Sequence, residues 1–347
     1  MSRASMPIVL WPEQDRSMLQ MLCQKSGPFD DTGPWANLRA PSIKLYTNGY
    51  GRWLQWLSEN EVYMLQQPAA TRATMPRMRS WITSLSTVSP TSRHMFFNGA
   101  LQFLRAIAPD ADWSELFKAK RRLERAAGKG DPARKHGRVL SSQVLLKAAL
   151  QLAGPISDAA PTPLARAKHQ RDGTMMALLT AMPMRHCALA ELEIGQSVLV
   201  EERAITVSLS GDLTKNRHPW EGDIPEPVSS LVRRYLGDAR PFLLSRSDKD
   251  HNMLWVCNNG DPMSYSYVGR KIPAITAALT GVRIPPHFFR DAAATTLARI
   301  SPREAKLIRP VLGHASSRTA ERHYIQAGTI EAARDYHMLV SKMRRRT

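Results

Sequence analysis

One stretch of the chain, residues 197–225, changes its hydrophobic period from the helical one to a period of two. Apolar and polar residues alternate through SVLVEE and RAITVSLS, and a third short segment of this kind is HPWEGDIP. Such alternation is typical of strands with one buried face, whereas the flanking sequence repeats with the helical period. The predicted fold is therefore mainly α, with one small antiparallel β-sheet inside a mainly helical domain. A strand-like run, LWVC, lies further along the chain.

The distribution of Pro, Gly and basic residues predicts four segments. Residues 1–41 contain seven Pro and Gly and form an N-terminal extension. Residues 42–125 carry successive helical patterns, the first weakened by two glycines and the third beginning with a Ser-Pro cap. Residues 126–138 belong to a run of Lys and Arg broken by Gly and Pro, which is typical of a linker. Residues 139–347 form the second domain, which includes a C-terminal tail.

The overall charge favours a nucleic-acid partner. The 347 residues carry a formal net charge of +18, which attracts phosphate groups. The alternative, a basic but otherwise ordinary protein, stays open at this point. Three widely spaced cysteines fit neither a disulfide framework nor a zinc cluster, and no apolar run is long enough for a signal peptide or a membrane span. A soluble protein of the cytoplasm, with no membrane partner, is therefore expected.

Basic side chains in the second domain have the chemistry needed to break a phosphodiester. His287 and Arg290 are three residues apart on a predicted helix that Pro285 and Pro286 begin, and Arg185 supplies a second guanidinium. Guanidinium forks match the non-bridging phosphate oxygens, on which negative charge grows during cleavage. Each residue alone also has an ordinary interpretation, in which His287 and Arg290 bond backbone or a core carboxylate.

Three further residues complete the predicted set. His314 follows a Leu-Gly step, Tyr324 lies ten residues beyond it, and Lys215 lies in the turn-rich stretch GDLTKNRHPW. A phenol becomes a nucleophile only where neighbouring cations lower its pKa or a base accepts its proton. A lysine can protonate the leaving 5′ oxygen. Alone, each of the three would be an ordinary capping, helix-surface or loop residue.

Together these residues resemble the catalytic set of the tyrosine recombinases, the family that includes phage integrases and Xer-type recombinases. Arg185 matches the family's first Arg, and Lys215 its β-hairpin Lys. His287 and Arg290 match HxxR, His314 matches the residue after the LG step, and Tyr324 matches the nucleophile. The resemblance covers roughly residues 42–347. It implies a helical core-binding domain at 42–125 and a catalytic domain at 139–347.

The resemblance also implies a mechanism and partners. Tyr324 attacks the scissile phosphate to give a 3′-phosphotyrosyl link, and exchange with a partner duplex passes through a Holliday junction without metal, ATP or another cofactor. Implied partners are double-stranded DNA at specific sites, a homotetramer assembled on two sites and an accessory excision factor, in a bacterial or phage nucleoid. Candidates for DNA contact are basic residues of the helical unit and linker: Lys44, Arg52, Arg77, Arg79, Arg93, Lys118, Lys120, Arg121, Arg122 and Lys135.

Two departures from the family pattern lie around Arg185. Family members commonly have Gly shortly before this Arg and Glu three residues after it, whereas this chain has Pro183 and Met184 before it and Ala188 after it. Glu191 is a candidate substitute for that carboxylate. Two alternatives to a recombinase therefore stay open: a type IB topoisomerase-like enzyme using the same tyrosine, and a non-catalytic DNA-binding protein. Metal hydrolase, kinase and dinucleotide-binding motifs do not occur.

Overall fold

The structure is a computed structural model that describes residues 4–27, 31–128, 139–211, 213–214, 219–300, 306–308 and 312. Its contacts divide the chain into two units, Met1–Asp131 and Pro132–Thr347. The described residues are mainly helical, with a three-stranded antiparallel sheet in the second unit. This confirms the predicted fold class. Each unit has its own hydrophobic core.

The described part of the first unit is entirely helical. Its α-helices are α1 (Glu13–Cys23), α2 (Ala40–Asn60), α3 (Ala69–Arg72), α4 (Met75–Ser84), α5 (Pro90–Ile107) and α6 (Ser114–Ala127), with 3-10 turns at Ile8–Leu10 and Val62–Gln66. The predicted cap of α5 is confirmed: the Ser89 hydroxyl accepts a hydrogen bond from the Ser92 amide at 3.2 Å, and Pro90 is the first helical residue. Such a cap satisfies an amide that the helix itself leaves unpaired.

Two glycines set the distance between α2 and α5. A Cβ added at Gly49 would stand 2.6 Å from the carbonyl oxygen of Phe96, and one added at Gly99 would stand 2.7 Å from that of Leu45. Helix α2 runs without a break through Gly49, although glycine lowers helix propensity. The weakness predicted for the middle of this helix was therefore wrong, because close packing of the two backbones outweighs the propensity.

Residues of the N-terminal segment pack into the same core. Trp11 and Trp35 are buried around Phe103 of α5, at ring-centroid distances of 5.3 and 5.6 Å. Asp15 of α1 is buried, accepts a hydrogen bond from the Tyr50 hydroxyl at 2.9 Å and pairs with Arg72 at 2.5 Å. A buried ion pair is tolerated only where its remaining polar atoms also find partners. This network therefore ties α1 firmly to α2 and α3.

The second unit surrounds one buried helix. Its α-helices are α7 (Ser142–Gln151), α8 (Pro163–Ala181), α9 (His186–Ala190), α10 (Val228–Arg234), α11 (Arg240–Leu244), α12 (Tyr265–Thr280) and α13 (His287–Ile300), with π turns at Leu152–Ile156 and Tyr235–Ala239. Residues 170–180 of α8 are buried on every side. No helix among the described residues is long and apolar enough to cross a membrane.

The sheet has the order β1 (Val198–Val200), β2 (Ile205–Leu209) and β3 (Trp220–Asp223), with antiparallel neighbours. In β2 the apolar residues are buried and the intervening residues are partly exposed, as the period of two predicts. The strand-like LWVC, residues 254–257, lies outside the strands of the sheet: Val256 forms an isolated bridge with Pro262, and the preceding Met253 forms one with Glu193. Leu254, Trp255 and Val256 are all buried, so their apolar character reflects burial on both sides and not a strand of the sheet.

Candidate active site

Arg185 lies where the chain turns from the central helix into a short one. Helix α8 ends at Ala181, Met182–Met184 are buried, and Arg185 is the N-cap residue of α9. Its carbonyl oxygen accepts a hydrogen bond from the Leu189 amide at 3.0 Å. Its half-buried guanidinium makes no hydrogen bond or ion pair with the part of the chain that the structure describes. The backbone is fixed while the side-chain donors remain available for an anion.

Arg290 joins three segments that carry predicted site residues. Its Nη1 donates to the carbonyl oxygen of Pro183 at 2.6 Å, and its Nη2 donates to that of Leu312. Pro183 lies two residues before Arg185, and Leu312 lies two residues before His314. Arg290 itself is in the first turn of α13. One guanidinium therefore ties the Arg185 turn to the segment that leads to His314.

The charges of Arg185 and Arg290 oppose each other. Burial, and then the Arg185 charge, lower the pKa of Arg290 to about 10, while Asp291 acts in the opposite direction. Arg290 therefore keeps its charge at neutral pH, in a place where that charge is unfavourable. An anion placed between the two guanidinium groups would relieve this repulsion, because opposite charges favour the charged form.

Two histidines and a tyrosine extend the cluster. His287 is exposed at the first position of α13, and its ring lies edge-on to that of Phe288, with centroids 4.6 Å apart. His186 is half-buried at the first position of α9 and stacks on the Tyr265 ring, with centroids 4.0 Å apart and planes at 25°. Burial, and then the nearby His287, lower the pKa of His186. Burial raises the pKa of Tyr265.

The described residues provide no carboxylate partner for Arg185 at the position where the motif resemblance leads us to expect one. Ala188 is buried in α9, and Glu191 is exposed at the end of that helix. No ion pair joins Glu191 to Arg185 among the described residues. Glu191 is therefore not the substitute that the sequence suggested. The turn is held instead through its backbone, since the Trp255 indole donates to the carbonyl oxygen of Leu189 at 2.8 Å.

A buried charge cluster that sequence reasoning missed fixes α12 against α8. Asp172 accepts hydrogen bonds from Arg171 at 2.8 Å and from the Lys271 ammonium at 2.8 Å. Arg171 is fully buried and also donates to the carbonyl oxygen of Val256 at 2.9 Å. The adjacent Arg and Asp of α8 were the available signal. Their partner on α12 is too distant in sequence for any local pattern to reveal.

Of the remaining predicted site residues, Lys215, His314 and Tyr324 lie outside the described residues. Leu312 is buried with Ile308 against Ala293, Ala294 and Ala298 on one face of α13. Ile308 and Leu312 thus pack on the helix that carries His287 and Arg290. Within the described ranges, His, Cys, Asp and Glu form no group of three or more that would hold a metal ion.

The candidates for DNA contact differ in exposure. Arg77 is half-buried and paired with Glu61 at 2.7 Å, and Arg52 lies over the Phe96 ring at 3.9 Å. Arg93 and Lys120 are also half-buried. Lys135 lies outside the described residues. The exposed candidates are Lys44, Arg79, Lys118, Arg121 and Arg122.

Sequence comparison identifies the class of protein that this site defines. The model of the phage integrase family matches residues 156–329, just over half of the 347-residue chain. The matched region contains all six predicted catalytic positions from Arg185 to Tyr324. The chain therefore belongs to the phage integrase family and is a tyrosine recombinase, as the motif resemblance predicted. No curated protein matches the chain in sequence.

Among solved structures, a similar fold is found in the XerH recombinase at low sequence identity, and two others match with TM-scores below 0.5. The XerH site-specific recombinase bound to difH substrate in a pre-cleavage complex is 14% identical, with 94% of this chain and 95% of that chain covered and a TM-score of 0.58. The XerA recombinase is 17% identical, with 89% and 93% covered and a TM-score of 0.40. The Tn1549 transposon integrase in complex with circular intermediate DNA is 14% identical, with 82% and 94% covered and a TM-score of 0.45.

Proposed function

We propose that this chain is a site-specific DNA recombinase that cleaves and rejoins DNA through a 3′-phosphotyrosyl intermediate on Tyr324. The observation that carries the proposal is the position of Arg290, whose guanidinium contacts the carbonyl oxygens of Pro183 and Leu312. Those contacts join Pro183, two residues before Arg185, to Leu312, two residues before His314, and so support a phosphate site near Arg290. The like charges of Arg185 and Arg290 favour an anion as the ligand.

Each residue has a defined role in the proposed reaction. The Tyr324 hydroxyl gives its proton to His287 or to solvent and its oxygen attacks the scissile phosphorus, so a phosphorus–oxygen bond to Tyr324 forms and the bond to the 5′ oxygen breaks. Lys215 gives its proton to that leaving oxygen, while Arg185, Arg290 and His314 stabilise the charge on the non-bridging oxygens. His287 supports the phosphate or handles protons. The 5′ hydroxyl of a partner strand reverses the step, so the bond energy is conserved without ATP or metal.

The proposed biological setting is the integration and excision of a mobile element. Four copies would assemble on two double-stranded DNA sites, exchange strands through a Holliday junction and use an accessory factor for excision. The cytoplasm of a bacterium, where the nucleoid lies, is the corresponding location. The C-terminal tail after Tyr324 would pack on a neighbouring copy within that assembly.

DNA contact is assigned to the helical unit, residues 42–125, and to the linker, residues 126–138. The catalytic domain begins at residue 139, and residues 1–41 extend the helical unit. The exposed basic side chains Lys44, Arg79 and Arg121 support this assignment, since they meet solvent without burial. Arg77 is a weaker candidate because Glu61 already neutralises its charge. Lysine and arginine contacts of this kind neutralise backbone phosphates and make DNA affinity depend on salt.

Covalent capture tests the proposed chemistry. The purified chain is incubated with a library of nicked suicide duplexes of randomised sequence, and adducts that survive SDS are isolated. Adducts are expected with the wild type and with Tyr336→Phe, the matched control in the same C-terminal segment, and none with Tyr324→Phe. Adducts that persist in Tyr324→Phe, or their absence from the wild type, would contradict the proposal.

A plasmid with two copies of the selected site tests for recombination. Recombinant circles support a recombinase that pairs two sites. Relaxation without recombinants indicates the topoisomerase-like alternative, which uses the same phenol on one duplex. Binding without any adduct indicates a non-catalytic DNA-binding protein.

A further inference from the structure

The turn that carries Arg185 lacks the carboxylate that family members commonly have three residues after this Arg, so other contacts must support the turn. Ala188 occupies that position and is buried, and Glu191 is exposed. Helix α9, which follows Arg185, has only five residues. So short a helix is not stable alone and depends on tertiary contacts. Whatever holds α9 therefore also holds the Arg185 backbone.

The contact nearest to Arg185 along α9 is the His186–Tyr265 ring stack. The rings lie 4.0 Å apart, close to parallel. Tyr265 is the first residue of α12, where the Ser264 hydroxyl accepts a hydrogen bond from the Tyr267 amide at 3.2 Å. Helix α12 is in turn fixed to α8 by the pair between Lys271 and Asp172. Tyr265 is itself exposed, so the stack connects the surface-exposed start of α12 to the residue next to Arg185.

We infer that His186, through its stack on Tyr265, is a positioning residue that sets the orientation of Arg185 towards the scissile phosphate. The inference rests on the proposed function. A carboxylate would hold the Arg185 guanidinium directly by a hydrogen bond. The His186–Tyr265 stack instead holds the backbone next to Arg185. It leaves the Arg185 donors uncommitted, which agrees with the lack of a hydrogen bond to that side chain within the described residues.

The chemistry of the surrounding groups favours a neutral, stacked imidazole. Cys187 and Arg185 flank His186, Tyr265 faces it from α12, and His287 approaches it from α13. Burial and the His287 charge both disfavour protonation of His186. Stacking needs the aromatic face and not a proton. Phenylalanine at residue 186 should therefore preserve the contact, whereas alanine should remove it.

The test compares His186→Ala, His186→Phe, Tyr265→Ala and Tyr265→Phe with the wild type. Adduct formation on a captured suicide duplex is measured at saturating DNA, and the dissociation constant for the same DNA is measured separately. Both Ala variants are expected to slow adduct formation by about two- to tenfold, the rate equivalent of one aromatic pair. Both Phe variants should stay within about twofold of the wild type. The dissociation constant should not change.

Two further measurements complete the test. The double variant His186→Ala/Tyr265→Ala should be no slower than either single Ala variant, because both lose one contact. Hydrogen exchange of the Leu189 amide, which donates to the Arg185 carbonyl oxygen, should accelerate in the Ala variants and not in the Phe variants. The exchange measurement needs no DNA, so it tests the effect of the stack on the Arg185 backbone independently of cleavage. A wild type that forms no adduct would refute only the proposed function.

Unchanged exchange and unchanged rates in His186→Ala would overturn the inference. So would a His186→Phe variant as slow as His186→Ala, because that result would assign proton chemistry to the imidazole. A reduced melting temperature with an unaltered rate would show that the stack stabilises the fold without positioning Arg185, and would equally overturn it.

Discussion

Replacement of Arg290 by Met separates its structural contribution from its proposed catalytic one. Methionine is unbranched and adaptable, so it fills most of the space without the charge or the donors. The variant loses the hydrogen bonds to the carbonyl oxygens of Pro183 and Leu312. Each carbonyl left without its partner costs about 1–3 kcal/mol where it is buried. The expected loss from these two contacts is therefore about 2–6 kcal/mol.

Removal of the charge offsets much of that loss. The pKa of Arg290 is lowered from 12.5 to about 10, first by burial and then by Arg185. Each pKa unit corresponds to about 1.4 kcal/mol, so the charge itself destabilises the fold by on the order of 3 kcal/mol. The free energy of unfolding of Arg290→Met should therefore lie between about 1 kcal/mol above and about 3 kcal/mol below that of the wild type.

Catalysis should respond far more strongly. Loss of one donor to the transition-state oxygens typically slows a reaction by about a hundred- to a thousandfold. Urea unfolding gives the free energy, and suicide-duplex capture gives the rate. Arg299→Met, the same change at an exposed position in the last turn of α13, is the matched control and should leave the rate unchanged. Arg290→Met cleavage within about threefold of the wild type would refute the catalytic assignment.

Three further predictions follow from other parts of the structure. Chelation by EDTA should leave the rate of adduct formation unchanged, because the proposed donors are side chains; a rate restored only by added Mg²⁺ would contradict this. The pKa of His186 is lowered in the folded state, so unfolding stability should fall as the pH drops through about 6.5, the unfolded value, and His186→Phe should reduce that loss in pH-dependent urea titrations. Gly49→Ala should destabilise the first unit by about 1–3 kcal/mol in thermal unfolding, whereas Gly237→Ala, where a Cβ meets no atom within 4 Å, should not destabilise the second.

Features set by neighbours in sequence were predictable, and features set by distant contacts were not. The period of two gave the strands because burial of β2 alternates along its own sequence. The cap at Ser89 is likewise local. Gly49 was misjudged because its partner, Gly99, lies on another helix. LWVC was misjudged because the Leu254 amide donates to the Leu192 carbonyl, outside any strand.

The site divides in the same way. Arg185, His287 and Arg290 were predicted as site residues from residue type and spacing, and their catalytic roles stay predictions. Tyr265 and Lys271 were missed because only the packing of α12 brings Tyr265 to His186 and Lys271 to Asp172. The role of Glu191 as a substitute carboxylate was proposed from proximity in sequence. The structure does not support that role, because Glu191 follows the last residue of α9 and its side chain is exposed.

The electrostatics of the second unit explain why such a site favours an anion even though its positive charges are unfavourable in the free protein. Arg185 and Arg290 repel each other, and burial together with the charge of His287 lowers the pKa of His186. A core that needed only packing would replace these groups by apolar ones at little cost. A phosphodiester placed among them converts each repulsion into an attraction, most strongly when its oxygens gain charge during cleavage. We therefore propose that the repulsion between Arg185 and Arg290 is relieved most strongly in the transition state of strand cleavage.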